Sequence, residues 1–172
     1  MNQMSQPVGR IEPLTTDDIA SLRQLAREIW HAYYKHIISA AQIEYMLEQR
    51  YNEAVVRAEL KQHHLWWDIV LVNDCMAGFS SYFMSGDAGV MKLDKLYVHD
   101  RYRRKGCGGL MLNRACKTAR DHSCRTLMLT VNKHNDVALA AYAKYGFRVI
   151  ASHVQDIGGG FVMDDFVMEL DV

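Results

Sequence analysis

The chain has 172 residues, 49% apolar and 23% charged, which suits one globular domain with one core and excludes a disordered or fibrous protein. Lys+Arg and Asp+Glu number 20 each, so the formal net charge is zero, and duplex nucleic acid, which draws on a basic surplus, is not an expected partner. Four cysteines without a C-x-x-C pair give no zinc site and fit free thiols in a reducing cytosol; with no apolar run for a signal peptide or a membrane span, a cytoplasmic protein without metal is expected.

In chain order, "VGRIEPL" (Val8–Leu14) reads as a short strand. "TTDDIASLRQLAREIWHAYY" begins with Thr15 or Thr16 as N-cap and acids in the first turn, and Ile19, Leu22, Leu25, Ala26 and Ile29 carry helical spacing. "SAAQIEYMLEQRYN" is a second helix with Ile43, Met46 and Leu47 on one face, and "EAVVRAELKQ" a third. The pattern then turns to β-branched and aromatic runs, "LWWDIVLVN" and "CMAGFSSYFM", separated by the hairpin turn "NDC". "GVMKLDKLYVH" alternates as a long strand, and "CGGLMLNRACKTARDH" is a helix with Leu112, Ala115, Cys116 and Ala119 inward. A strand, "RTLMLTV", a helix, "NDVALAAYAKYG", closed by Gly146, and two strands, "FRVIASHV" and "FVMDDFVMELDV", complete the order β-α-α-α-β-β-β-α-β-α-β-β. This is a mixed α/β or α+β domain spanning residues 1–172.

One stretch concentrates charge and glycine. "DRYRRKGCGGLM" sets Arg101, Arg103, Arg104 and Lys105 directly before Gly106, Gly108 and Gly109 at the start of a helix, and residues 92–105 carry six Lys/Arg against Asp94 and Asp100. A helix N-terminus has unpaired N–H groups and partial positive charge, and glycines let the backbone close on a ligand, so the stretch has the make-up of a pyrophosphate cradle. A Walker A loop is absent, and Met111 stands where a dinucleotide fingerprint needs its third glycine. What remains is Arg103-x-x-Gly106-x-Gly108; a solvated basic turn with a glycine N-cap is the plainer alternative.

The blocks "KLDKLYVHDRYRRKGCGGLML" and "NKHNDVALAAYAKYGFRVI", in this order and separation, resemble the acetyl-CoA-binding blocks of the GCN5-related N-acetyltransferase (GNAT) family. The resemblance implies a central mixed, mostly antiparallel sheet of about seven strands, with a V-shaped opening between two central strands for the pantetheine arm. It implies an acetyl-CoA-binding core over residues 90–150 and N-terminal helices over residues 16–62 as an acceptor-side lid. The backbone of Leu96, Tyr97 and Val98 would face the arm, and the N–H groups of Arg103, Arg104, Lys105, Gly106, Cys107, Gly108, Gly109 and Leu110 would hold the pyrophosphate. Asn135 matches a pantetheine contact, and Ala138 is small where the arm passes. Cys107 reads as a loop filler, because direct transfer needs no nucleophile. Dimers recur in the family, so the resemblance admits a homodimer.

Acetyl transfer to an amine requires a proton to leave the amine and one to reach the departing sulfur. Tyr142 stands at the family position of the general acid, with four residues to Gly146; Tyr145 lacks that spacing. Asp94 stands where many members carry a glutamate base; one methylene shorter, it suits a water relay or amine orientation, or pairing with Lys92 or Arg103. The aromatic segment holding Trp30 and Tyr34, with Glu44 and Glu48 spaced i, i+4, suits a cationic amine, and a solvated helix face is the plainer reading. This segment and "IGGGFVMDDFVMEL" look like the small-amine branch, polyamine acetyltransferases included; Asp164 and Asp165 in that tail suit a polycation, and a turn cap by one of them is the plainer reading. The expected activity is therefore N-acetylation of a small amine such as a polyamine by direct transfer from acetyl-CoA. The alternatives are a protein N-terminus or lysine as acceptor, or a non-catalytic acyl-CoA-binding regulator.

Overall fold

The computed structural model describes residues 9–172, so Val8 of the first expected strand lies outside the described residues. Seven strands form one sheet: β1 (Arg10–Pro13), β2 (Leu65–Val72), β3 (Cys75–Met84), β4 (Val90–Val98), β5 (Thr126–Asn132), β6 (Arg148–Gly158) and β7 (Phe161–Asp171), in the spatial order β1-β2-β3-β4-β5-β7-β6. The β4–β5 pair is parallel and every other pair antiparallel. Five α-helices accompany them: α1 (Ile19–Tyr33), α2 (Ala40–Tyr51), α3 (Glu53–Glu59), α4 (Cys107–Asp121) and α5 (Asp136–Lys144). The expected element order is the observed one. The first helix stops one residue earlier than its pattern, where the chain tightens into a 3-10 turn at Tyr34–His36, and β6 runs on to Gly158.

Local chemistry explains the punctuation. The Ser39 hydroxyl accepts from the Gln42 amide (3.1 Å) to open α2, and the Asn52 side chain accepts from the Val55 amide (2.9 Å) to open α3. The β2–β3 hairpin turns on Asn73 and Asp74 at φ 50° and 62°, a left-handed pair that these two residue types tolerate. The β6–β7 hairpin turns on Gly159 and Gly160 (φ 63° and 79°) and is pinned from α2, where the Tyr45 hydroxyl donates to the Ile157 carbonyl at 2.9 Å.

The sheet divides two apolar layers. One face carries α1, α2 and α3 over Trp67, Ile69 and Phe79, with Leu22, Ile29, Trp30, Ile43 and Tyr51 fully or nearly buried. The other carries α4 over Met91, Leu93, Leu127 and Leu129, with Leu112, Ala115 and Ala119 turned inward. Full burial of each such side chain is worth roughly 1.5–3 kcal/mol, so these layers hold the sheet.

Two irregularities in β4 shape the centre. Its pairing with β3 jumps from Leu93↔Tyr82 to Lys95↔Ser81, leaving Asp94 as the extra residue of a β-bulge. Before the bulge, Met91 and Leu93 face the α4 layer; beyond it, Lys95 and Tyr97 turn to the α1 side while Leu96 packs toward α4. In addition, β4 pairs with β5 over only four residue pairs, ending at Leu93↔Leu129, although the strands continue to Val98 and Asn132. Beyond that point they diverge, as a V-shaped opening requires.

Candidate active site

The opening holds a cavity of about 260 Å³ walled by residues 93–98 of β4, residues 129–132 of β5, the C-terminal part of α1 and one face of α5. At one end lies the glycine stretch. Arg104 and Gly106 both adopt left-handed backbone (φ 61° and 83°), which curls the loop, and Gly106 is the N-cap of α4. The first internal bond of α4 runs from the Leu110 amide to the Gly106 carbonyl (3.0 Å), so the N–H groups of Cys107, Gly108 and Gly109 are unspent. Gly108 and Arg103 reach the cavity, and the Arg103 guanidinium lies 4.4 Å over the Tyr33 ring. Arg104 and Lys105 are exposed beside the loop. Cys107 is buried against Val70, Val72, Ala77 and Met111, where burial pushes its thiol up. Leu110 packs on the same cluster, and Gly109 faces the Tyr145 hydroxyl.

The second block forms the opposite wall. Asn135 caps α5, its side-chain oxygen accepting from the Ala138 amide (3.2 Å) and from the Tyr33 hydroxyl (3.1 Å). Tyr33 therefore ties α1 to both blocks. Although α5 is apolar, none of its residues is fully buried; Ala138, Ala141 and the partly buried Tyr142 line the cavity, and Val137 is 64% exposed beside them. Tyr142 packs edge-on to Phe147 at 5.4 Å, and burial raises its phenol, which stays protonated at neutral pH. The β4 wall presents Leu96, Tyr97 and Val98, and Tyr97 joins Trp30 and Tyr34 in an aromatic cluster, its hydroxyl 3.4 Å from that of Tyr34.

A second cavity, about 470 Å³, adjoins the first on the α2 side, and Arg50, Asp94, Lys95, Thr130, Met163 and Asp165 line both. The bulge aims Asp94 at this junction, where Arg50 contacts it at 2.8 Å and Lys95 at 2.6 Å. Burial pushes the Asp94 carboxyl up, but these two cations outweigh it and hold the group well below the usual carboxylate range. Lys95 is itself 3% exposed, 4.7 Å over the Trp67 ring and 3.8 Å from Glu59. The partners expected for Asp94 are thus corrected: Arg103 pairs with Asp100 (3.0 Å), and Lys92 lies over Phe83.

Trp30 and Tyr34 line the first cavity, whereas Glu44 and Glu48 line neither. Glu44 lies on the outer face of α2 and pairs with Arg27 (2.7 Å) and His31 (2.6 Å), which corrects the expectation of an acidic rim from these two residues. The carboxylates at the second cavity are Glu59, Asp94, Asp156 and Asp165. Sequence reasoning missed Arg50, Lys95, Tyr33 and Asn132 as cavity residues. Asn132 had a signal, since it ends the strand that opens the V.

Unspent amides at a glycine-rich helix start, an apolar helix wall without a partner and a strand freed of its neighbour together suit a diphosphate joined to a long amide-bearing arm. A model of the acetyltransferase (GNAT) family matches residues 20–147. The chain belongs to the GNAT acetyltransferase family. It is an acetyl-CoA-dependent N-acetyltransferase, with acetyl-CoA as co-substrate. The spermidine N(1)-acetyltransferase of Thermoplasma acidophilum is 27% identical over 163 residues, which covers 92% of this chain and 94% of that protein. The crystal structure of the PaiA N-acetyltransferase from Thermoplasma acidophilum in complex with coenzyme A superposes with a TM-score of 0.82 at 25% identity, covering 95% of this chain and 99% of that one. A GCN5-related N-acetyltransferase from Rhodopseudomonas palustris also gives 0.82, at 19% identity, over 99% and 100% of the two chains, and shows the shared fold. Among the described residues no helix is long and apolar enough to cross a membrane.

Proposed function

We propose that this acetyltransferase acts on a small cationic amine, a polyamine being the type case, by direct transfer within a ternary complex. The observation that carries this reading is the second cavity: about 470 Å³, within the ~300–1,000 Å³ range of small-molecule sites, with four carboxylates against the cations of Arg50, Lys92 and Lys95 on its walls, Asp156 and Asp165 unpaired by them, and a junction to the first cavity. The resemblance to a spermidine acetyltransferase supports it. In this reading residues 16–62 act as an acceptor-side lid, and Trp30 and Tyr34 give the amine an aromatic wall. Three buried cysteines without disulfides agree with a reducing, cytoplasmic setting.

Bound acetyl-CoA supplies an activated acyl carbonyl and a thiol leaving group. The free amides of Cys107, Gly108 and Gly109 and the curled loop before them hold the pyrophosphate, Asn135 and Ala138 guide the arm, and the backbone of Leu96, Tyr97 and Val98 lies along it; the amides of Arg103 and Leu110, expected to share in the cradle, are spent on the Asp100 and Gly106 carbonyls. A backbone N–H of this strand stabilises charge on the carbonyl oxygen. Tyr142, a phenol that is neutral at pH 7 and that burial pushes further up, donates its proton to the leaving sulfur. Asp94, already holding two cations, orients Arg50 and Lys95 at the junction of the cavities.

The test is thiol release from acetyl-CoA with spermidine, putrescine and a lysine-containing peptide as acceptors. A kcat/KM at least tenfold higher for one of the free amines than for the peptide is expected. The reverse ranking refutes the small-amine reading and favours a protein acceptor.

A further inference from the structure

Of the carboxylates facing the junction of the two cavities, one is unspent. Asp165 is 9% exposed, its Oδ1 is buried without a hydrogen-bond partner, and among the described residues it makes no ion pair. Its backbone is held from both sides, by the register Asn132↔Asp165 on β5 and His153↔Asp165 on β6. Its neighbour Asp164 points to the other face of the strand and pairs with Lys133. Asp94, by contrast, is saturated by Arg50 and Lys95. A strand position that buries a carboxylate and gives it nothing to bind is costly to the fold, and an arriving ammonium group would offset that cost.

We propose that Asp165, rather than Asp94, receives the ammonium group of the acceptor and takes its proton. This rests on the reading of the second cavity as the acceptor site. In the step, one N–H bond of the ammonium breaks, an O–H bond forms on Asp165, and nitrogen keeps the electron pair with which it attacks the thioester carbonyl. The neutral carboxylic acid then releases its proton to water at the mouth of the second cavity. Burial raises the Asp165 carboxyl above the usual aspartate range, while His153 on β6, Arg50 on α2 and Lys92 on β4 pull it down and Asp164 pushes it up. Asp94 faces the same cavities from β4, and Tyr34 lines the first from beyond α1. A carboxyl with a raised value is a better proton acceptor for an ammonium than one locked as a carboxylate by two cations.

The sign of the stability effect separates this role from a structural one. A raised carboxyl adds stability only below its unfolded pKa and loses that contribution as pH rises through the folded value. At neutral pH its ionised form is therefore a burden, and Asp165→Asn is expected to leave Tm unchanged or higher. The same variant is expected to lower kcat/KM for the best amine of the panel about 100-fold or more and to abolish the acid limb of its pH profile, while the Tm shift given by acetyl-CoA stays that of the wild type. Wild-type kcat/KM and pH profile in Asp165→Asn overturn the proposal, as does loss of the acid limb in Asp94→Asn but not in Asp165→Asn. If the peptide proves the better acceptor, the small-amine reading fails, and Asp165→Asn is read on the peptide by the same criteria. If no amine is turned over, the carboxyl titration of Asp165, followed by carbon NMR on aspartate-labelled protein, is compared with and without spermidine. Its midpoint is expected to fall when spermidine binds, and an unchanged midpoint overturns the proposal.

Discussion

Arg50→Met tests whether the junction of the two cavities is held electrostatically. In the wild type the Arg50 guanidinium contacts the Asp94 carboxylate at 2.8 Å and reaches the Asp94 carbonyl at 3.5 Å. Breaking a fully buried ion pair from one side costs about 3–5 kcal/mol. Here the Asp94 side chain is 22% exposed and keeps Lys95 at 2.6 Å, so a loss of about 2 kcal/mol is the expected share. For a chain of this size that lowers Tm by roughly 4–8 °C in a melt followed by circular dichroism at pH 7. Asp94 is a carboxylate with a depressed value, so its contribution is present above the unfolded aspartate pKa and is lost as pH falls through the folded one. The gap between wild type and Arg50→Met should hold steady from about pH 5 to 8 and close below about pH 4. The double variant Arg50→Met/Asp94→Asn should be more stable than the sum of the single losses implies, because it removes the carboxylate that Arg50→Met leaves with Lys95 alone. A Tm within about 1 °C of wild type, or strictly additive losses, would refute the electrostatic account.

Tyr142→Phe keeps the ring against Phe147 and removes only the hydroxyl; kcat is expected to fall about 100-fold with KM for acetyl-CoA within about threefold, and retained turnover removes the acid role. Acetyl-CoA at 100 times its Kd should stabilise the wild type by about 2.7 kcal/mol, a rise of roughly 5–10 °C, and no shift at millimolar concentration defeats the pyrophosphate seat. Gly106→Val, which forces a β-branched residue to φ 83°, should raise KM for acetyl-CoA about tenfold; an unchanged KM shows that the loop does not need its left-handed turn.

The order of elements and the glycine loop were legible because they rest on local chemistry: periodicity, caps, and charge placed before a helix start. The bulge was legible too, though the strand read simply as alternating. Its apolar phase runs Met91, Leu93 and then slips to Leu96, Val98, and the slip falls on Asp94 and Lys95. For Glu44 and Glu48 the i, i+4 spacing correctly gave one shared face. Which face was already implied by Ile43, Met46 and Leu47 turning inward, since that leaves Glu44 to the outer side with Arg27 and His31. The two tail acids could not be told apart from their own stretch, because adjacent strand residues point opposite ways and only the packing of Met163 and Met168 on the two layers reveals which way is in. Arg50 was illegible for a further reason: its partner Asp94 lies 44 positions away, and no local pattern encodes that pairing, whereas Lys95 stands beside Asp94 at the phase slip itself.

The four-rung join between β4 and β5 compares with seven rungs on either side of it. The molecule is thus two half-walls stitched by a short seam, with cohesion given up along the line where the proposed chemistry lies. An arm threaded along the gap would then work as a splint as well as a reagent: it would restore crosslinks that the chain leaves out and stiffen the halves only while it is bound.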